Sequence, residues 1–182
     1  MKNDNMTGAE LQTMREGVNL SREELGALVG VAARTVKHWE NGRTGVPADV
    51  AQAVADLEEG VSLAALADLM RWEGIIQDRS AARVVALVRY RQDSDVVRMG
   101  PAVAGYPVAI HGAIVARVRA ELLDNVLNFC DQSVRVVWFD AAEYGAWLAQ
   151  VGVPDTPEAL DHWALQQVAQ QARAHRADQP PA

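Results

Sequence analysis

Apolar residues recur along the first sixty positions at helical spacing, in short runs. Leu11, Met14 and Val18 form one stripe, Leu25, Leu28 and Val29 a second, Val36 and Trp39 a third, and Val50, Val54, Leu57 and Val61 a fourth. Members of each run stand three or four residues from a neighbour in it, Leu28 and Val29 both counted from Leu25, which marks one face of a helix. The polar residues between them punctuate the chain. Thr7 and Ser21 each stand three residues before a glutamate (Glu10, Glu24), the pattern of a capping box at a helix start. Gly17 and Asn19 weaken the end of the first helix. Gly30 follows the second apolar run directly, where a left-handed carboxyl-terminal cap is expected. Gly42 ends the third helix, and Pro47 suits the first turn of a fourth. Gly26 is costly inside a helix, so it predicts close approach by another backbone.

Further along, the period changes. Residues 60–79 remain helical by pattern, with Ser62 as a possible cap and Leu63, Leu66 and Met70 as an apolar stripe; this segment either starts anew or extends the helix before it. Residues 83–91 are β-branched and compact, and read as a strand. Residues 92–95 read as a turn and residues 100–107 as a Gly/Pro loop. Ile110, Ile114, Val118, Leu122 and Val126 recur every four positions, predicting a long helix over 108–128. Residues 134–139 read as a second strand. Asp140 and Glu143 then open a helix with Tyr144, Trp147 and Leu148 on its covered side, stopped by Gly152. Thr156 and Pro157 open the last helix, and residues 176–182 form a frayed tail.

The fold class expected is therefore α+β. An amino-terminal all-α domain of four to five helices (residues 1–79, core 7–59) precedes a small α/β domain (80–182) of two strands and three helices. Two lone strands are marginal unless covered, so the second domain is expected to pair with its copy.

Within the first domain, the second and third helices are short and joined by a tight glycine turn. That is a helix-turn-helix arrangement. On the third helix, Val36 and Trp39 face one way, while Arg34, Lys37, His38 and Asn41 face the other. Trp39 reads as core. Glu40 reads as a structural residue bonded within the domain, because a carboxylate beside phosphate is repelled.

Composition sharpens this picture and also opposes it. The 182 residues carry a formal net charge of -7. Residues 1–59 hold six Lys/Arg against ten Asp/Glu, so even the candidate binding domain is acidic. Only a local patch reconciles that with nucleic-acid binding. One cysteine, Cys130, excludes an intramolecular disulfide and a thiolate zinc cluster, and reads as core or interface. No signal-like apolar stretch opens the chain and no membrane-spanning run follows, so a cytoplasmic location is expected, nucleoid-associated on DNA. Asp140, Glu143, His111 and His162 supply no recognisable acid–base pair, and no phosphate loop or metal-spaced set appears. Catalysis, a metal and a cofactor are accordingly not expected. An effector pocket lined by Tyr106, Trp138 and Trp147 is a further reading of the aromatic residues, against their ordinary use as core.

The stretch "LSREELGALVGVAARTVKHWENGRTGVP" resembles the Cro/CI-type (XRE-family) helix-turn-helix of transcriptional regulators. Leu25, Gly26, Gly30, Val31, Val36, Trp39, Glu40, Gly42 and Arg43 fall in register with that pattern. Ala32 departs from it, standing where Ser or Thr commonly caps the recognition helix, a loss of about 1 kcal/mol. The resemblance implies that residues 33–41 form the recognition helix in the major groove of double-stranded DNA. It implies contacts from Ala33, Arg34, Thr35, Lys37, His38, Asn41 and Arg43. Arg34 is the base reader, paired with guanine O6 and N7. Ala33 meets a thymine methyl, Lys37 and His38 reach bases or phosphate, and Asn41 and Arg43 meet phosphate. Further on, "YRQDSDVV…GYPVAIHGAI" followed by "VRVVWFDAAEYGAWL" resembles the carboxyl-terminal part of anti-CRISPR-associated autorepressors and YdiL-like proteins, which implies dimerisation. The function expected is a homodimeric autorepressor on an inverted repeat. The alternative is a DNA-binding antitoxin or partner-binding module, and RNA or a protein remains open as a partner.

Overall fold

The structure is a computed structural model, described over residues 6–77, 84–96, 106–126 and 133–177. Its elements run α1 (Gly8–Gly17), α2 (Arg22–Leu28), α3 (Ala33–Glu40), α4 (Ala48–Gln77), β1 (Val84–Arg89), α5 (Asp93–Val96), α6 (Val108–Glu121), a π-helical turn (Leu122–Val126), β2 (Ser133–Trp138), α7 (Ala141–Val151) and α8 (Pro157–Ala177). The fold is α+β: helical at the amino-terminal end, with a two-stranded sheet among helices beyond it. The chain divides into two compact units, Met1–Ala67 with Val96–Ile114, and Asp68–Asp95 with Val115–Ala182.

In the first unit both capping boxes form. Thr7 N–H donates to Glu10 Oε2 at 2.7 Å and Glu10 N–H to Thr7 Oγ1 at 3.2 Å. Ser21 and Glu24 repeat this at 2.7 and 3.1 Å. Each box satisfies two amides that the first turn leaves without helical partners. Asn19 adopts a φ of 62°, which lets the chain leave α1. The core is Leu11, Leu25, Val36, Trp39, Val50 and Val54, with Met14, Val29, Val31 and Val46 packed against it. Leu28, expected in the buried stripe of α2, is instead exposed. The reason is the short helix: Val29, four residues after Leu25, and Val31 beyond the turn fill that side, and Leu28 falls outside it.

α4 runs unbroken through Ser62, so Ser62 caps nothing. Its hydroxyl donates back to the Glu58 carbonyl at 2.9 Å. The covered side of α4 carries Val54, Leu57, Val61, Ala65 and Trp72, whereas Leu63, Leu66 and Met70 are more than half exposed. Their spacing is helical as expected, but the stripe faces outward.

In the second unit β1 and β2 pair in parallel, from Val84↔Ser133 to Arg89↔Trp138. Val85, Ala86, Leu87, Val134 and Val137 are buried, and α8 packs along β1. Asp140 caps α7, its Oδ1 accepting from Ala142 and Glu143 N–H at 2.9 Å each. Gly152 ends α7 at φ 73°. Phe139, just past β2, gathers the aromatic core, with Tyr90, Tyr144 and Trp163 at ring distances of 5.0, 5.6 and 5.8 Å. The Tyr144 hydroxyl donates to Asp155 at 2.8 Å. Arg71 pairs with Asp161, whose carboxyl is pushed up by burial against the pull of that guanidinium.

Element limits differ from the expected ones in three places. Residues 92–95, expected as a turn, overlap the one-turn helix α5 (Asp93–Val96). The long helix ends at Glu121 and continues as a π-helical turn. Each strand is shifted or shortened by one or two residues. Cys130 and most of the expected 100–107 loop lie outside the described residues. Among the described residues no helix is long and apolar enough to cross a membrane.

Candidate nucleic-acid interface

The geometry of α3 follows from three backbone devices. Gly26 in α2 leaves no room for a side chain: a Cβ there would lie 2.6 Å from the Val31 carbonyl oxygen. α2 therefore meets the turn backbone directly. Gly30 makes that turn at φ 73°, and Gly42 closes α3 at φ 67°. Left-handed positions of this kind cost glycine nothing. Ala32 extends at the amino end of α3 without a side-chain cap, as its lack of a hydroxyl requires.

α3 turns Val36 and Trp39 into the core. Arg34, Lys37, Asn41 and Arg43 are exposed, whereas Ala33, Thr35 and His38 are half-buried. Among the described residues the three cationic side chains, Arg34, Lys37 and Arg43, are held by no ion pair or hydrogen bond. Arg34, Lys37 and Asn41 thus share one outward stripe, with His38 at its border. Thr35 and Ala33 sit at the flank nearer the core.

Glu40 belongs to the same helix but points inward, and its carboxylate is fully covered. It accepts from Arg15 Nε at 2.6 Å and from Arg22 Nε at 2.5 Å. Arg15 also donates to the Leu20 carbonyl at 2.6 Å. One carboxylate so ties α1, α2 and α3 together, and its charge is met by two guanidiniums. This bears on the acidic composition only at α3 itself. The one acid of α3 is consumed inside the unit, and Glu10 and Glu24 are engaged in caps. What α3 shows outward is positive.

Arg15 and Arg22 were not among the residues expected from sequence, and neither was Gly8. A Cβ on Gly8 would stand 2.6 Å from the Glu40 carbonyl oxygen, so the start of α1 rests on the end of α3. A glycine three residues before the apolar stripe was the only local signal. Of the effector-pocket residues, Trp138 lines a cavity and Trp147 packs on Tyr144. Trp138 is half exposed, with Arg89 and Arg91 over its ring at 5.5 and 4.8 Å. Trp147 stacks on Tyr144 at 6.1 Å, and Tyr106 falls in the first unit. The cavity beside Trp138, about 550 Å³, is lined mostly by polar groups, among them Arg91, Asp140, Glu143 and Gln167, with Phe139, Ala141 and Ala142 also on its wall.

Comparison with known proteins agrees with this geometry. A family described as helix-turn-helix domain matches residues 7–69. Over 53 residues the chain is 43% identical to the Aca2 repressor of Pectobacterium phage ZF40, a match covering 29% of this chain and 46% of that protein. The matched stretch thus spans less than half of the relative's length. With α2, the Gly30 turn and the outward cationic stripe of α3 in place, residues 7–69 have the form of a helix-turn-helix domain and are similar to the XRE type.

Proposed function

We propose that this protein is a sequence-specific DNA-binding transcriptional repressor that acts as a homodimer on its own promoter. The observation that carries the proposal is the outward stripe of α3, with Arg34 and Lys37 beside Asn41 and Arg43 just past the helix, none of these cations in an ion pair among the described residues, on a helix whose only acid is turned inward. The name of the similar phage protein, a repressor, supports the same reading.

In this mechanism α3 enters the major groove. Arg34 donates two parallel bonds to guanine O6 and N7, which discriminates by about 1–3 kcal/mol. Ala33 and Thr35 border the bases, Ala33 against a thymine methyl. Lys37 and His38 reach a base or phosphate one turn on. Asn41 and Arg43 hold phosphate and fix the register. Two copies place two such helices in successive grooves, with half-sites about 34–36 Å apart, roughly 10–10.5 bp. The bound dimer blocks polymerase by covering the promoter. The acidic remainder of the chain limits non-specific attachment.

The domain limits follow the same reading: residues 1–79 bind DNA and residues 80–182 dimerise. Hydroxyl-radical footprinting on DNA upstream of the gene tests it. Two protected patches one helical turn apart, on one face of the duplex, are expected. A single patch of half that width contradicts the dimeric arrangement.

A further inference from the structure

We propose that the outer edge of β2 pairs antiparallel with β2 of a second copy of this chain, centred on Val136, so that two two-stranded sheets become one of four strands. The inference rests on the homodimer proposed above and gives it a surface.

The sheet has the order β1-β2 and no third strand among the described residues. β1 is covered: Val85, Ala86 and Leu87 are all buried. β2 is not. Val136 is 40% and Trp138 51% exposed, although they stand on either side of buried Val137 in the same strand. A strand edge with exposed apolar side chains is a template for pairing with another chain.

The identity of the occupant follows from the register. In antiparallel pairing, residues directly opposite point to the same face, so only residues of equal parity face each other. Two registers bring five residues of β2 against five of its copy. One centres on Arg135. It sets each guanidinium directly opposite its own image, which is destabilising, and leaves Trp138 beyond the overlap. The other centres on Val136. It sets Val136 against Val136, and Trp138 against Val134 of the copy, with Arg135 opposite Val137. This second register covers both exposed apolar residues of β2 and avoids the directly opposed like charges. The strand is complementary to itself, as a two-fold interface requires.

The test uses the full chain. Sedimentation equilibrium compares the wild type with Val136→Arg, which places two cations across the two-fold axis. Because Val136 is already part exposed, far-UV circular dichroism should be unchanged. The dimer dissociation constant is expected to rise at least about a hundredfold, from opposed like charges and lost apolar cover together. A second variant, Val136→Cys in a Cys130→Ser background, is oxidised in solution. Opposed residues of such a pair lie within disulfide reach, so a covalent dimer is expected, while Val153→Cys in the same background gives none. A wild-type dimer that Val136→Arg leaves intact, or a Val136→Cys variant that does not cross-link, overturns the Val136-centred pairing and leaves the homodimer standing. A wild type that stays monomeric at all concentrations, on and off DNA, overturns the homodimer and this interface together.

Discussion

Replacing Glu40 by alanine is expected to loosen the recognition helix without touching its outer face. The carboxylate is fully covered and bonded to Arg15, itself 7% exposed, and to Arg22, which is 38% exposed. Removal strands the Arg15 guanidinium in the core with only the Leu20 carbonyl and the rim carboxylate of Glu16. Breaking a buried pair from one side typically costs about 3–5 kcal/mol, because the remaining charge stays desolvated. Arg22→Ala leaves the Arg15–Glu40 bond in place, and a pair open to solvent on one side is worth only about 1 kcal/mol. Urea unfolding, read at the α3 amides by hydrogen exchange, separates the two. The ordering Glu40→Ala well above Arg22→Ala is expected. A triple change of Arg15, Arg22 and Glu40 to methionine should recover much of the loss, since apolar replacement of a whole buried network is often neutral. Equal small effects from Glu40→Ala and Arg22→Ala, or a triple variant as unstable as Glu40→Ala, would refute the view that this network seats α3.

Gly8→Ala should destabilise the first unit by about 1–3 kcal/mol, the cost of forcing a Cβ into occupied space, despite alanine's better helix propensity; thermal melts check it, and a stabilised variant contradicts the Gly8–Glu40 contact. The bond from the Thr7 amide, with help from its hydroxyl, holds Glu10 below the usual carboxylate value. That folded-state depression contributes stability above the unfolded pKa of Glu10, and the contribution is lost as pH falls through the lowered folded value. The melting temperature of the wild type should therefore exceed that of Glu10→Gln at neutral pH, with the gap closing on acidification; a gap that widens contradicts the capping role.

The parts of the fold legible in the sequence are those written locally. Both capping boxes join residues three apart, so Thr7–Glu10 and Ser21–Glu24 show in the chain itself. Gly26 was legible through its cost, and Gly30 and Gly42 through their positions after apolar residues. The outward placement of Arg34, Lys37 and Asn41 followed from helical periodicity alone. Leu28 and the Leu63–Leu66–Met70 stripe were not legible in the same way. Periodicity says which residues share a face and is silent about what covers it. Glu40 reads correctly as structural, yet its partners lie 25 and 18 residues away, at no helical spacing. Gly8 matters through a contact between the start of one helix and the end of another, which no window of sequence contains.

Fluorescence anisotropy of the full chain on its own upstream DNA, at two salt concentrations and beside Arg34→Ala, tests the central claim most directly. Saturable binding that weakens steeply with salt is expected. Arg34→Ala should lower affinity for this DNA by about 1–3 kcal/mol and affect random DNA far less. Binding no tighter than to random DNA, or an equal loss on both, would contradict a sequence-reading role for α3.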